Sequence, residues 1–302
     1  MRKRTTPHEE LDKEREDKRK EFSKQEPEDN PPLELFHYTT PDGLMGVVQT
    51  NKLWATNTRY LNDFTEVRYT YNLLREMTGK ISRQASPFIQ DFLNRFIEEL
   101  GFYDVIFDAY VFCLSEAGDQ LSQWREYASR GIGYSIGFRG AGLKRSFGHR
   151  VGMKLLKVIY DKSKQMQIVE RIIIDTCSFL ENIENKYSKR TNENIMDCCD
   201  LLMAALIPYT VQFKHEVFFE EQEWRIVYIP FHDITDKILF RSANKMIVPY
   251  IEFGMQEKLP INSVYQGPQA ELEITRKSLQ SLFSKYQYSN ISIRNSRAPI
   301  RF

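Results

Sequence analysis

The chain contains no long apolar run: stretches such as residues 201–207 are far shorter than the ~20 residues that span a bilayer. The charged first residues also lack the apolar segment of a secretory signal peptide. A charge excess is missing as well, since the formal net charge is +1 over 302 residues, so no overall field attracts nucleic acid or an anionic membrane. Together these absences predict a soluble globular protein of the cytoplasm with no membrane partner.

Cysteine is scarce, and the cysteines show neither C-x-x-C spacing nor histidines at the spacing of metal ligands. The sequence therefore predicts no metal site. It predicts instead that the thiols are structural groups in a reducing compartment. The residues concerned are Cys113, Cys177, Cys198 and Cys199.

A dinucleotide-binding fingerprint is also absent, although residues 131–137 read G-I-G-Y-S-I-G. These glycines precede and lie within a predicted strand, whereas the fingerprint connects a strand to a helix. What is present is an irregular mixture of strand and helix patterns with 41% apolar residues, which is enough for a full core. The mixture predicts an α+β fold with a twisted, mostly antiparallel sheet.

The polar composition of residues 1–32 predicts a charged segment outside the core. It contains almost nothing apolar and ends in a Pro-Pro pair, which is typical of a disordered tail, although its charges at helical spacing also allow a single solvated helix. Residues 33–302 are predicted to form a single domain. Within that domain, residues 163–208 show helical patterns and are expected to form a mainly helical insertion or cap.

Charged side chains interrupt the strand pattern F-F-E-E-Q-E-W-R-I-V. Alternation along a strand would place Glu221, Glu223 and Arg225 on one face, while Trp224 points to the core on the other. Two carboxylates and a guanidinium at this spacing predict one wall of a cleft in which the charges adjust each other's proton affinity. A salt bridge on an edge strand is the structural alternative.

A histidine-bearing strand, F-H-Y-T-T, opens the folded part and is followed by the helix pattern T-P-D-G-L-M-G-V-V-Q-T and the strand L-W-A-T-N. This order resembles the start of ADP-ribosyltransferase-type domains, where a strand with histidine, a variable residue and Thr or Ser contacts the nicotinamide-side ribose of NAD. The resemblance implies this role for His37, Tyr38 and Thr39. A lone histidine without that context would more often be structural.

The middle of the chain continues in the same order, with the strand V-F-C-L-S-E, the helix S-Q-W-R-E-Y-A and the strand G-Y-S-I-G-F. In the histidine-tyrosine-glutamate branch of ADP-ribosyltransferases, aromatic residues of this region sandwich the nicotinamide ring. The resemblance implies that role for Trp124 or Tyr127, with Ser115 on the strand. Core packing is the alternative for Trp124, because tryptophan on a short helix often fills a core.

Asn62 and Asp63 stand at the predicted start of the helix that follows the second strand. Short polar side chains at this position cap exposed amides, and an acid meets the positive end of the helix. Capping therefore explains both residues. The other possibility is that they face the cleft and bind NAD or the second substrate.

Several motifs also resemble a bacterial family known as domain of unknown function 2971. They extend over nearly all of the predicted ordered length and include L-W-A-T-N-T-R-Y-L-N-D-F-T-E, E-E-Q-E-W-R-I-V-Y and K-M-I-V-P-Y-I-E-F. That family looks like a relative of ADP-ribosyltransferases and occurs in anti-phage and toxin-like settings. The resemblance implies a split sheet of the ADP-ribosyltransferase type with a helical insertion.

NAD is the substrate that the resemblance implies. Glu223 would stabilise the positive charge that develops on the ribose, and Glu221 would orient or deprotonate the acceptor. Arg225 or Arg59 would bind phosphate. The acceptor stays open between protein, nucleic acid and water, as does the oligomeric state. Two other functions fit the same residues: a nucleotide sensor or protein-interaction module without turnover, and a magnesium-dependent nuclease that uses Asp63 with both glutamates.

Overall fold

The structure, a computed structural model, combines α-helices with a β-sheet and confirms the predicted α+β class. It describes residues 7–24, 30–61, 65–106, 108–148, 150–187, 192–230, 232–243 and 246–299. The helices are α1 (Pro7–Lys24), α2 (Pro41–Thr50), α3 (Thr65–Ser82), α4 (Pro87–Ile106), α5 (Leu121–Tyr127), α6 (Gly140–Phe147), α7 (Lys162–Tyr187), α8 (Asn192–Thr210) and α9 (Leu272–Lys285). The strands are β1 (Glu34–Thr39), β2 (Lys52–Asn57), β3 (Tyr110–Ser115), β4 (Tyr134–Arg139), β5 (Met153–Lys157), β6 (Glu223–Tyr228), β7 (Leu239–Ala243), β8 (Met246–Gly254), β9 (Ile261–Gln266) and β10 (Ser292–Asn295).

The chain divides into two compact units, which differs from the predicted single domain over residues 33–302. One unit, the helical unit, consists of α1, α3, α4, α7 and α8. The other, the sheet unit, contains the strands together with α2, α5, α6 and α9. The predicted insertion, residues 163–208, covers nearly all of α7 and α8, and these helices pack with α1, α3 and α4. It is therefore one part of a larger helical body.

Apolar residues at helical spacing form the core of the helical unit. Val169, Ile173 and Leu180 of α7 are fully buried, and Phe92 and Phe96 of α4 join the same cluster. Within the described ranges, no helix combines the length and the apolarity of a membrane span.

The N-terminal segment forms a helix where the sequence favoured a disordered tail. On α1, Phe22 is buried in the core of the helical unit, and Nη2 of Arg15 lies 2.5 Å from Oδ2 of Asp197 on α8. The sequence missed this docking because a few scattered contacts hold the helix without an apolar stripe: Phe22, the partly buried Leu11 and the ion pairs of Arg15 and Glu14. Other parts of the predicted tail, residues 1–6 and 25–29, lie outside the described residues.

The strands form one sheet in the order β10-β9-β4-β1-β3-β2-β8-β7, with β6 paired to β3 and β5 paired to β6. The pairing of β10 with β9 is parallel, and the other strand pairs are antiparallel. The prediction of a mostly antiparallel sheet is thus confirmed.

The sheet forks at β3. One edge of β3 pairs with β6 from Tyr110 to Ser115. Its other edge pairs with β2 at Tyr110 and Val111 and with β1 at Ser115, so residues 112–114 lie between the two partners. Because β1 continues to β4 and β2 continues to β8, two arms of the sheet separate at this point.

One face of the sheet carries the apolar core of the sheet unit. Phe112 and Leu114 of β3 and Trp224 and Ile226 of β6 point into this core, as alternation along the strands requires. Apolar residues of α2, α6 and α9 cover this face; examples are Val48, Leu143 and Phe283.

Helix α2 begins where the sequence predicted. Thr40 is the N-cap residue, and its Oγ1 accepts a hydrogen bond from the N–H of Gly43 at 3.1 Å, with Pro41 in the first turn. A Cβ on Gly43 would lie only 2.0 Å from Oγ1 of Thr39. Glycine at this position therefore lets the first turn of α2 approach the end of β1.

Candidate functional site

Two neighbouring strands bring the predicted acidic residue and its arginine to one face of the sheet. β3 and β6 pair so that Ser115 lies opposite Glu223 and Cys113 lies opposite Arg225. Directly paired residues share a face of an antiparallel sheet. These four side chains therefore lie on the face opposite the apolar core, and we call it the polar face.

Glu223 and Arg225 form a buried ion pair. Nε and Nη2 of Arg225 donate hydrogen bonds to Oε1 and Oε2 of Glu223 at 2.7 and 2.9 Å. The side chain of Arg225 is only 2% exposed to solvent, and that of Glu223 only 6%. The structural alternative is thus confirmed as to the salt bridge with Arg225. It is wrong as to the edge position, because β6 pairs on both sides, with β3 and with β5. The pair braces the interior of the sheet through two parallel, charge-assisted hydrogen bonds.

Glu221 has a different setting. It ends the 3-10 helix Glu216–Glu221, and its side chain is partly exposed. The hydroxyl of Tyr127 donates to Oε1 of Glu221 at 3.0 Å, and the hydroxyl of Ser115 donates to the backbone carbonyl of Glu221 at 2.7 Å. We call Ser115, Tyr127 and Glu221 the Glu221 cluster. Its hydrogen bonds hold an acidic group in a fixed place just before β6.

The predicted alternation of Glu221, Glu223 and Arg225 fails at Gln222. This residue has a φ of 46°, and the strand begins only at Glu223. A left-handed residue interrupts the alternation of side chains that an extended strand produces. Consequently Glu223 and Arg225 share a face, whereas Glu221 does not continue their row.

Trp124 and Tyr38 belong to the core, where the sequence implied contact with NAD. Trp124 is fully buried, and its indole Nε1 donates to Oδ1 of Asp119 at 2.7 Å. Tyr38 is also buried, and its hydroxyl donates to the carbonyl of Ala117 and accepts from the N–H of Gln120. Both rings pack edge to face with centroids 4.9 Å apart. The core-packing alternative therefore describes Trp124, and it extends to Tyr38.

His37 lies on the opposite face of the sheet from Glu223. Its neighbour Phe36 pairs with Ser115, which pairs with Glu223, so Phe36 shares their face. His37 instead stacks on Phe112 of the core face, with ring centroids 4.2 Å apart. The sheet therefore does not place the imidazole of His37 beside Glu223, as joint contact with one NAD molecule would require.

The imidazole of His37 occupies the fork of the sheet. Its Nδ1 lies 2.8 Å from the carbonyl oxygen of Cys113, which is an acceptor, so the neutral ring donates through Nδ1–H. Burial lowers the pKa of His37 to about 4 against the opposing effect of this hydrogen bond, and the positive charge of Arg241 adds to the decrease. At neutral pH the ring is thus an uncharged brace for β3.

Three further predicted residues complete the account. Thr39 ends β1, is partly exposed and lies opposite Tyr134 of β4. Asn62 and Asp63 lie outside the described residues, so their expected roles in capping or binding stay predictions. The structure thus groups the Glu221 cluster with the Glu223–Arg225 pair and places His37 and Thr39 apart from them.

The structure also contains a cluster of side chains that the sequence did not predict. We call it the Arg241 group, and its members are Arg241, Thr56, Tyr250 and Trp54. Nη2 of Arg241 on β7 donates to Oγ1 of Thr56 on β2 at 2.8 Å, and the guanidinium lies over the ring of Tyr250 on β8, 5.9 Å from its centroid. Trp54 on β2 contacts the same ring with centroids 5.4 Å apart. The available signal was the position of the short run L-F-R-S-A directly before the strand K-M-I-V-P-Y, because two neighbouring runs of this length indicate a hairpin.

The Arg241 group lies on the polar face. Thr56 pairs with Val111 of β3, which precedes Cys113 by two positions and so points the same way. Arg241 therefore shares a face with Arg225, on the arm of the sheet formed by β2, β8 and β7.

Metal ligands do not gather in the described part of the chain: no group of three or more His, Cys, Asp or Glu residues there has metal-binding spacing. Asp63, which the nuclease alternative requires, lies outside the described residues. A surface pocket of about 540 Å³ lies near the end of α9, away from the predicted site residues. Its lining residues are Gln280, Phe283, Ser284, Gln287, Tyr288, Ser289, Ile291 and Ile293.

Part of the chain is similar to a known protein family. No curated protein and no solved structure matches the chain. Residues 123–226 match the model of DUF2971, which is described as a protein of unknown function. The match includes the Glu223–Arg225 pair and Tyr127 but no residue of the Arg241 group. Over this segment, about one third of the 302 residues, the chain is similar to the DUF2971 family.

Proposed function

We propose that the chain cleaves the nicotinamide glycosidic bond of NAD and transfers ADP-ribose to an acceptor or to water. The observation that supports this proposal is the Glu221 cluster, in which Tyr127 holds a partly exposed carboxylate at 3.0 Å. Cleavage of this bond develops positive charge on the ribose, and a fixed carboxylate stabilises that charge without reorganising during the reaction.

Glu221 takes the role that the sequence assigned to Glu223. A catalytic carboxylate must reach the substrate, whereas both oxygens of Glu223 bind Arg225 in a buried pair. Glu221 is partly exposed, and the partly exposed ring of Tyr127 beside it offers an aromatic surface to the nicotinamide. Glu223 and Arg225 then act as positioning residues that anchor the strand directly after Glu221.

Nicotinamide release, measured by mass analysis after incubation of the full chain with NAD, tests this proposal. Glu221→Gln keeps the size of the side chain and removes its charge, so we expect release to slow by about 10²-fold or more. Glu220→Gln is the matched control, because Glu220 is an exposed neighbouring glutamate whose loss leaves the cluster intact. The proposal is rejected if the unmodified chain releases no nicotinamide, or if folded Glu221→Gln releases it at an unchanged rate.

A nucleotide-binding module without turnover is the second candidate. The closed Glu223–Arg225 pair favours it, because the acid at the second position of E-x-E is committed to the interior of the protein. Calorimetry distinguishes the two candidates: heat of NAD binding without nicotinamide release indicates the module, and binding with release indicates the enzyme.

A further inference from the structure

Arg241 carries a charge that no carboxylate of the described residues neutralises. Its hydrogen bond goes to a neutral acceptor, Oγ1 of Thr56. Its Nε is shielded from solvent and has no hydrogen-bond partner. Glu252, an acid on the same strand as Tyr250, is paired with Lys52 instead. The guanidinium is therefore only partly satisfied by the surrounding chain.

Keeping Arg241 in this setting has an energetic cost. Burial lowers the pKa of Arg241, because a partly desolvated guanidinium is less stable in its charged form. A shielded N–H without an acceptor adds the desolvation penalty of an unmade hydrogen bond. Arg241 forms no ion pair with the described residues that would offset this cost. The guanidinium is therefore a candidate for binding a ligand.

Trp54, another member of the Arg241 group, also has a hydrogen-bond donor without an acceptor. Its indole Nε1 is shielded and has no hydrogen-bond partner, although the ring packs against Tyr250. Both unmatched groups, on Trp54 and on Arg241, are donors. A ligand that satisfies them must bring acceptors, and the positive charge of Arg241 favours acceptors that are negatively charged. Both side chains are only partly buried, so a ligand at the surface reaches them after a rotation of the side chain.

We propose that Arg241 is the centre of a binding position for the phosphate group of a nucleotide, formed by the Arg241 group on the polar face. The planar fork of a guanidinium donates to two phosphate oxygens at once, and the hydroxyl of Thr56 supplies a further donor. Tyr250 and Trp54 provide aromatic surfaces on which the flat base of the same ligand stacks. This inference goes beyond the proposed function and does not require that NAD be cleaved.

Isothermal titration calorimetry of the full chain with ADP, adenosine and pyrophosphate tests the phosphate position. We expect ADP to bind at least about 10-fold more tightly than adenosine, because a hydrogen-bonded charge supplies that much affinity. Pyrophosphate that binds as tightly as ADP would identify a position for free phosphate groups, and tighter binding of ADP would identify contacts to the base. Binding of ADP and pyrophosphate no tighter than that of adenosine would overturn the proposal.

Variants assign the effect to Arg241. Arg241→Gln should weaken ADP binding by about 10- to 100-fold and remove the advantage of ADP over adenosine. Arg139→Gln is the matched control, since Arg139 is an exposed arginine on the other arm of the sheet, and ADP affinity should stay unchanged. Arg241→Lys keeps the charge and guards against misfolding; we expect about 10-fold weaker ADP binding because the fork is lost. Unchanged ADP affinity in either Arg241 variant contradicts the proposal.

A separate readout keeps this proposal distinct from NAD cleavage. Glu221→Gln should leave ADP affinity within about twofold of the unmodified chain, because Glu221 belongs to a different cluster and a twofold change is well under 1 kcal/mol. Loss of nicotinamide release with retained ADP binding would then remove the proposed enzyme activity and leave the phosphate position standing.

Discussion

Two arginines on the same face of one sheet have opposite surroundings. Arg225 on the central strand β6 is fully buried and binds both oxygens of Glu223. Arg241 on the edge strand β7 is partly buried and has a hydroxyl and an aromatic ring as its neighbours. A charge that the chain neutralises internally contributes to the fold, whereas a charge left with neutral partners is available to a ligand. The following variants test this distinction.

The largest effect is expected from Glu223→Gln. It replaces the charged acceptor of two hydrogen bonds from the buried Arg225 with a neutral amide, so the free energy of unfolding should fall by about 3–5 kcal/mol. Urea denaturation monitored by tryptophan fluorescence measures the change, with Glu220→Gln as the control. A decrease below about 1 kcal/mol would show that the pair is not a brace of the sheet.

A pH dependence is expected from His37 at the fork. Because burial lowers its pKa from 6.5 to about 4, the unfolded chain binds a proton in this window while the folded chain does not. The free energy of unfolding should therefore fall by an amount on the order of 3 kcal/mol as the pH decreases from about 6.5 to about 4. His37→Asn retains an N–H donor for Cys113 without titrating. Its urea midpoints should lack this component of the pH dependence, and identical profiles for both proteins would disprove the assignment.

A smaller effect is expected from Tyr127→Phe, which removes the hydroxyl that holds Glu221. Nicotinamide release should slow by about 10-fold, since the carboxylate keeps its charge and loses one hydrogen bond. Tyr60→Phe alters an exposed tyrosine of the same unit and serves as the control. Equal rates in both variants would mean that Tyr127 does not position the reacting acid.

The smallest effect, and one of opposite sign to that of Glu223→Gln, is expected from Arg241→Met. Methionine keeps an apolar stem against Tyr250 and removes a partly desolvated charge, so the unliganded protein should gain about 1 kcal/mol in free energy of unfolding. The same variant should raise the pKa of His37, measured by NMR, because the positive charge of Arg241 lowers it. A loss of stability comparable to that of Glu223→Gln would remove the contrast between the two arginines.

Local signals carried the parts of the fold that the sequence predicted well. Thr40 and Pro41 mark the start of α2, and Trp224, between the charged Glu223 and Arg225, identifies the core face of β6. Such features depend on residues within a few positions of each other, so a single sequence contains them. The mostly antiparallel sheet follows from the same short-range patterns.

Pairing across the chain accounts for the features that the sequence did not reveal. The face on which His37 lies depends on β3 pairing with β1 and β2 in succession, and residue spacing does not encode that order. The burial of Trp124 depends in the same way on Tyr38, which is remote in sequence. The sequence did not indicate a role for Arg241, because a charged residue in a short edge strand is normally predicted to be exposed to solvent.

The left-handed conformation of Gln222, with its φ of 46°, has a consequence for comparing sequences. Motif searches treat two glutamates separated by one position as a single unit of chemistry. Here the left-handed residue between them leaves Glu221 partly exposed, whereas Glu223 is buried in an ion pair with Arg225. The spacing of an E-x-E motif therefore does not show whether its two carboxylates lie on the same face. The backbone torsion angles of the middle residue decide this.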